Sequence, residues 1–163
     1  MQVKGIDSSG ASVETAQRRA AERGLNNVTF ENISLQQLDE EGSSFDVIVI
    51  WGVIHYLSAK DQGPILAKIH QLLKPGGMLF ATLRSTRDSR CDVSQRVAPN
   101  RYRTKYFDAG QDSEKEMVMS FWDEIEVRSL LSEYQEVVLG HRDLEPISGS
   151  RLSSCHWLIR AQK

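Results

Sequence analysis

The sequence has few of the features that would connect it with an extracellular compartment, a metal or a membrane. Only two of its 163 residues are cysteines, Cys91 and Cys155, and neither belongs to a C-x-x-C pair. A disulfide framework or a zinc site is therefore not predicted. The longest apolar run, residues 47–54, is far shorter than the ~20 residues of a membrane-spanning helix. The N-terminus has no signal-peptide pattern, so we expect a cytoplasmic protein with reduced thiols.

Neither positive nor negative charge is in large excess. The formal net charge is −2, with 26% charged and 40% hydrophobic residues. This balance gives no reason to expect a nucleic acid or an anionic membrane as partner. The length predicts a single domain over residues 1–163 with a sizeable core. A homo-oligomer remains open.

The hydrophobic pattern alternates between strand and helix periods. The first helix is expected to begin at Ser8 or Ser9 and to end at Gly24, and Pro64 is expected in the first turn of the second helix. The predicted elements, in order, are strand Val3–Ile6, the first helix, strand 28–33, strand Phe45–Ile50, helix 61–73, strand 78–83, helix 123–131, and strands 136–139 and 156–161. Strands that alternate with helices indicate an α/β fold with a parallel sheet. The last two strands, joined by a stretch with Pro146 and Gly149, suggest an antiparallel hairpin.

Three segments resemble the class I S-adenosylmethionine-dependent methyltransferases of the small-molecule type. Residues 3–9 (VKGIDSS) are similar to the second strand of that family, residues 45–57 (FDVIVIWGVIHYL) to its fourth strand, and residues 72–80 (LLKPGGMLF) to its fifth. The likeness is good over residues 3–84 and loose beyond. It implies a Rossmann-like methyltransferase sheet that is mostly parallel, with a C-terminal antiparallel hairpin, and S-adenosylmethionine as cofactor.

The resemblance also implies cofactor contacts after the first two strands. A carboxylate at the end of a strand, such as Asp7, can accept hydrogen bonds from both ribose hydroxyls. Ser8 follows it, and the alternative role for Asp7 is to cap the helix. Ser34 and Leu35 fall where the family binds adenine, and Ser34 stands where an acid is common.

The strand Phe45–Ile50 is expected to present further contacts at its carboxyl end. The resemblance assigns Ile50, Trp51 and Val53 to the cofactor, and Trp51 has a core role as its alternative. Gly52 is expected to allow a close approach of the backbone. In the turn 74–77, Lys-Pro-Gly-Gly, glycine is expected to supply a positive φ.

Among the histidines, only His55 is a catalytic candidate. Relatives often carry a histidine here at the substrate site, where it can accept a proton or orient a nucleophile. The alternative is a buried, hydrogen-bonded histidine at a helix start. His70, His141 and His156 are expected to be structural, and no residue has metal-ligand spacing.

The nature of the acceptor is indicated by the residues after the fourth family strand. Residues 51–54 are Trp-Gly-Val-Ile, not the Asn/Asp-Pro-Pro-aromatic signature of amide and nucleobase methyltransferases, which favours a small-molecule acceptor. Residues 85–120 are predicted to form a lid or insertion. Seven basic residues between 84 and 105 either bind an acceptor carboxylate or phosphate or pair with the seven acids between 108 and 126.

One element of the family is absent. No strand followed by a G-x-G turn precedes Asp7, and in the family this first strand lies between the strands at Val3–Ile6 and Phe45–Ile50. We therefore expect either a fragment of a longer domain or a shortened homologue that repairs the gap. The corresponding functions are an active methyltransferase in its full-length form, or a non-catalytic binding module. A nicotinamide-dependent enzyme does not explain residues 45–57 and 72–80 together.

Overall fold

The computed structural model describes residues 1–107, 114–144 and 153–163. The chain divides into two compact units, Met1–Glu40 and Glu41–Lys163. Within the described ranges, no helix is long and apolar enough to cross a membrane. The prediction of a single domain remains a prediction.

The first unit is a β-α-β element. Strand β1 (Val3–Ile6) and strand β2 (Val28–Glu31) pair in parallel, and helix α1 (Gly10–Glu22) connects them. Ser9 caps α1, since its side chain accepts a hydrogen bond from the Ser12 amide. Gly24 follows the helix with a φ of +64°, as the C-terminal signal predicts. The unit therefore brings the carboxyl ends of β1 and β2 side by side.

The second unit is built on a four-stranded sheet of order β3-β4-β9-β8. Its elements, in chain order, are β3 (Phe45–Ile50), a 3₁₀ turn (Ile54–Tyr56), α2 (Ala59–Leu72), β4 (Leu73–Arg84), α3 (Ser89–Val93), β5 (Gln95–Ala98), β6 (Arg101–Phe107), β7 (Glu114–Ser120), α4 (Glu124–Leu130), β8 (Glu136–Leu144) and β9 (Ser154–Gln162). Strands β5, β6 and β7 form a separate antiparallel sheet.

The core of the second unit lies on one face of this sheet. Alternate residues of β4 and β9 are buried, because side chains of a strand point to opposite faces, and helix α2 contributes residues at helical spacing. The buried residues of these three elements include Leu79, Ala81, Leu83, Trp157, Ile159, Ala161, Ile65, Ile69 and Leu72. The opposite face keeps apolar residues exposed, among them Val47, Val49 and Phe80.

Most predicted elements are confirmed. Strands β1 and β3 have the predicted bounds, and β8 and β9 form the expected antiparallel hairpin, although Pro146 and Gly149 of its connection lie outside the described residues. The α/β fold is confirmed, but a mostly parallel sheet is not. In the described strands only β1–β2 and β3–β4 pair in parallel, since the hairpin and the β5–β7 sheet add antiparallel pairings.

One local prediction is wrong. Helix α2 begins at Ala59, so Pro64 lies in its second turn rather than its first. A Cβ placed at Gly52 would meet no protein atom within 4 Å, and the close approach expected there stays a prediction. The φ of +72° at Gly52 is a separate reason for a glycine, since this conformation is unfavourable for other residues. The positive φ of the turn 74–77 is confirmed at Gly76, with a φ of +76°.

Candidate functional site

In the first unit, Asp7 follows β1 with an exposed side chain. Its Oδ1 accepts a hydrogen bond of 2.8 Å from the Ser9 amide, while its own amide donates to the Glu31 carbonyl of β2. Asp7 is therefore not the helix cap, a position that Ser9 occupies. Its second carboxylate oxygen has no hydrogen-bond partner among the described residues. Ser8 lies between these two residues. One oxygen of the carboxylate is therefore available to accept a hydrogen bond from a hydroxyl group.

Ser34 follows β2 and takes part in a local turn. Its hydroxyl and its amide both donate to Oε1 of Gln37, at 2.9 and 3.0 Å. The Ser34 carbonyl accepts from the amides of Gln37 and Leu38. Leu35, the next residue, is half-buried. The hydroxyl of Ser34 is therefore already engaged as a donor, and only its acceptor capacity is available to a ligand.

In the second unit, residues after β3 form an exposed turn at its carboxyl end. Ile50 is buried, whereas Trp51 is 58% exposed and Val53 is 44% exposed. The Gly52 amide donates to Oγ1 of Thr82 in β4, at 2.9 Å, which ties this turn to the neighbouring strand. The structure excludes a core role for Trp51. Its indole is free to pack against a ligand.

His55 is buried in the 3₁₀ turn that follows, with 1% of its surface exposed. Among the described residues its Nδ1 has no hydrogen-bond partner, so a hydrogen-bonded structural histidine does not account for that atom. Burial lowers the pKa of His55 to about 3, and the positive charge of Arg84 contributes in the same direction. The imidazole is therefore neutral at physiological pH.

A buried ion cluster lies beside His55 at the end of β4. Asp88 is fully buried, and its carboxylate binds Arg84 at 2.6 Å and Arg90 at 3.3 Å. It also accepts the amide of Cys155 in β9, at 3.2 Å. Sequence reasoning missed this carboxylate, because nothing in its local pattern distinguishes Asp88 from a residue of a surface loop.

Several basic residues between 84 and 105 pair with acids. Of the acidic stretch between 108 and 126, Asp108 and Asp112 lie outside the described residues. Arg84 and Arg90 pair with Asp88, Arg87 with Asp143, and Arg103 with Glu116. The Arg103–Glu116 pair joins the two stretches, at 4.0 Å. The two roles expected for the basic residues stay predictions.

Arg101 connects the β5–β7 sheet to the segment that carries His55. Its guanidinium donates to the Leu57 carbonyl at 2.7 Å, to Ser120 Oγ at 2.9 Å and to the Val118 carbonyl at 3.4 Å. Gln62 donates to the same Leu57 carbonyl and Ser120 hydroxyl. The predicted insertion 85–120 is thus fixed next to the turn after β3. Its role as a lid remains a prediction.

Comparison with known proteins gives a family match over part of the chain and a fold match over nearly all of it. Residues 1–77 match the family described as "Methyltransferase domain". The whole chain superposes on a SAM-dependent methyltransferase of Methanosarcina mazei with a TM-score of 0.76, over 99% of this chain and 82% of that chain, at 20% identity. Residues 1–77 therefore match the methyltransferase domain family, and the chain has the fold of the class I methyltransferases. At 20% identity the structural likeness establishes the fold alone.

Further proteins to which this chain is similar are named for O- and N-methylation. It is 40% identical over 86 residues to the ubiquinone biosynthesis O-methyltransferase of Caulobacter vibrioides, which covers 52% of this chain and 33% of that protein. The N-methyltransferase NodS of Bradyrhizobium japonicum, solved with S-adenosyl-L-homocysteine, has a TM-score of 0.62 at 18% identity, over 99% of this chain and 66% of that one. The alignments span about a third of the length of the curated relatives.

The burial of neutral His55 predicts a pH dependence of stability. A histidine whose pKa falls from 6.5 to about 3 on folding stabilises the fold fully above pH 6.5. That contribution is lost as the pH falls toward 3, at up to about 1.4 kcal/mol per pH unit. Urea unfolding of the wild type and of His55→Gln at several pH values measures it. The variant should have the shallower slope below pH 6.5 and an unchanged slope above pH 7. Equal slopes at acid pH would contradict the prediction.

The Arg101 network predicts a specific loss of stability. Arg101→Met removes three hydrogen bonds from a charged donor and leaves the Leu57 carbonyl with fewer partners. We expect the free energy of unfolding to fall by about 1.5–3 kcal/mol, the value for hydrogen bonds to a charged group. Arg103→Met is the matched control, since Arg103 is exposed and its ion pair spans 4.0 Å, so its loss should cost less than about 1 kcal/mol. Equal losses in chemical denaturation would refute the assignment.

Proposed function

We propose that this protein is an S-adenosylmethionine-dependent methyltransferase that acts on a small-molecule acceptor. The observation that carries the proposal is the exposed carboxylate of Asp7 at the carboxyl end of β1. One of its oxygens is available to accept a hydrogen bond from a hydroxyl group. Such a carboxylate fits the vicinal hydroxyls of a ribose. The family match of residues 1–77 and the names of the relatives, which include O- and N-methyltransferases, support the same reaction.

The proposed cofactor contacts are those that the sequence resemblance implies. Asp7 and Ser8 would hold the ribose, and Ser34 and Leu35 would contact the adenine. Ile50, Trp51 and Val53 would contribute from the turn after β3, where the exposed indole of Trp51 offers a flat apolar surface. These residues provide a carboxylate that accepts hydrogen bonds and apolar side chains that pack against rings. Both features fit a nucleoside.

The cofactor supplies an electrophilic methyl group that is transferred by direct displacement. The protein then needs to hold the acceptor in line, and proximity and orientation account for most of the acceleration. Because a pKa near 3 makes His55 a weak base, its unpartnered Nδ1 is better suited to orient the acceptor by a hydrogen bond than to take its proton. His55 is the proposed catalytic residue on this basis.

Two free strand edges bear on the completeness of the domain. Within the described residues β1 pairs only with β2, and β3 pairs only with β4, so each keeps an unpaired edge. In folded proteins the edges of short apolar strands are normally paired with another strand or covered. We propose that an additional strand, from further chain or from another molecule, pairs with them in the active protein. The alternative is a binding module that has lost the cofactor.

Calorimetric titration with S-adenosylmethionine tests the proposal. It is applied to this chain and to the chain extended by the reading frame upstream of Met1. Binding by either form, followed by methyl transfer to hydroxyl-type or amine-type acceptors, supports the enzyme. Binding by the extended form alone supports the added strand. Absence of heat with both forms would overturn the cofactor assignment and leave the binding module.

A further inference from the structure

Three basic side chains form a row across the second sheet. In the antiparallel register, Arg84 of β4 lies opposite His156 of β9, which lies opposite Arg142 of β8. Directly opposed residues of neighbouring strands point to the same face. Arg84, His156 and Arg142 therefore present their side chains together on one face of the sheet. We call these three residues the basic row.

The basic row lies at the carboxyl end of the sheet. Arg84 is the last residue of β4, and Arg142 is near the end of β8, which runs in the same direction as β4 because both are antiparallel to β9. The imidazole of His156 lies with its centre 6.1 Å from that of His55. Ligands of open α/β sheets bind at this end. The row therefore borders the turn that carries the candidate catalytic histidine.

The positive charge of the row is only partly neutralised. Asp88 is the one carboxylate that Arg84 binds, and Arg90 shares it. Arg142 has no ion-pair partner in residues 1–107, 114–144 and 153–163. Arg84 also keeps a buried Nε with no hydrogen-bond partner. Within those residues the guanidinium of Arg142 therefore has no carboxylate partner.

The surroundings of His156 carry a positive potential. Burial lowers the pKa of His156 most, the charges of Arg84, Arg142 and Arg90 lower it further, and only Asp88 raises it. An anion beside the row would offset this positive potential.

We propose that the basic row binds an anionic group, a carboxylate or a phosphate, carried by the methyl acceptor. Guanidinium groups match the oxygens of both anions with paired hydrogen bonds. Arg142 is exposed and His156 is half-buried, so an anion reaches the row from solvent and meets Arg84 at its inner end. This inference rests on the proposed function, because it makes the bound anion a part of the acceptor.

The test follows the imidazole signals of His156 by NMR during titration with inorganic phosphate and, separately, with acetate, at constant ionic strength held with chloride. The Arg142→Gln variant removes the exposed end of the row without disturbing the buried pair of Arg84 and Asp88. Arg160→Gln is the matched control. Arg160 is exposed, lies four residues further along β9 on the same face, and is paired in register with Phe80 and Val138.

We expect saturable shifts of His156 with one or both anions, and the anion that binds more tightly identifies the group on the acceptor. Arg142→Gln should weaken the binding about tenfold or more, as for the loss of a hydrogen bond to a charged group. Arg160→Gln should change it less than twofold. Absence of a saturable shift with both anions, or equal weakening by both variants, would overturn the inference.

A separate titration with S-adenosylmethionine distinguishes this inference from the proposed function. Anion binding without cofactor binding, in this chain and in its extended form, would contradict the methyltransferase and retain the anion site. Cofactor binding without an anion response would retain the methyltransferase and eliminate the basic row as an acceptor contact.

Discussion

Replacement of Asp7 by alanine should weaken the binding of S-adenosylmethionine about 100-fold. Two hydrogen bonds from ribose hydroxyls to a carboxylate contribute about 1.5 kcal/mol or more each, and about 3 kcal/mol corresponds to two orders of magnitude in Kd. The change should have little effect on folding, because Ser9 rather than Asp7 caps α1. Only the hydrogen bond to the Ser9 amide, worth about 1 kcal/mol, is lost with it.

Calorimetry on the form of the protein that binds the cofactor measures this effect. Asp39→Ala is the matched control, since Asp39 is an exposed aspartate in the same unit, and its Kd should equal that of the wild type. Asp7→Asn separates charge from shape, because the amide keeps one acceptor oxygen. We expect an intermediate affinity. An Asp7→Ala variant that binds as tightly as the wild type would remove Asp7 from the site.

Replacement of Asp88 by alanine should lower the free energy of unfolding by about 3–5 kcal/mol. Removing one partner of a buried ion pair leaves an uncompensated charge in the interior, and that cost is far larger than the net value of the pair. Here Arg84 and Arg90 both lose their carboxylate, and the Cys155 amide loses its acceptor. Such a loss approaches the total stability of a small domain.

Denaturant unfolding of Asp88→Ala is compared with that of Asp92→Ala, which removes an exposed carboxylate from the same short helix, α3. The control should change stability by less than about 0.5 kcal/mol. Asp88→Asn should fall between the two, because its amide oxygen can still accept one hydrogen bond. Equal effects of the alanine substitutions at 88 and 92 would contradict the structural role of Asp88.

Much of the fold could be predicted because local sequence signals mark its helices and strands. The β-branched run of β3 has the length and composition of a strand, and the capping box of Asp123 and Glu126 marks the start of α4. Helix α1 is bounded by Ser9 and Gly24 in the same way. Each of these signals lies within a few residues of the element that it defines.

The β5–β7 sheet was not predicted, since its strands lack an apolar period. All residues of β5 are exposed, and β6 carries Arg101, Arg103 and Lys105 at alternate positions. Its pairing becomes evident only from the register, in which Arg103 lies opposite Val118. The turn at Asn100, whose φ is +57°, was the one local signal available.

The candidate site could be predicted only where a motif carries it. Asp7 and His55 follow recognisable strands, so their positions were assigned from the resemblance to the family. Asp88 and the basic row depend on pairing between strands that lie some 70 residues apart in the sequence. A shift of one residue in that register would move His156 to the opposite face, so the sequence pattern alone could not bring these residues together.

The most direct test of the methyltransferase assignment is an NMR titration with S-adenosylhomocysteine, applied to this chain and to the chain extended by the reading frame upstream of Met1. The account predicts that the amide signals of Asp7, Ser8, Ser34 and Leu35, and those of Trp51 and Val53, shift together with one common Kd. Signals of the β8–β9 hairpin should stay unchanged. Saturable shifts confined to other residues, or none in either form, would contradict it.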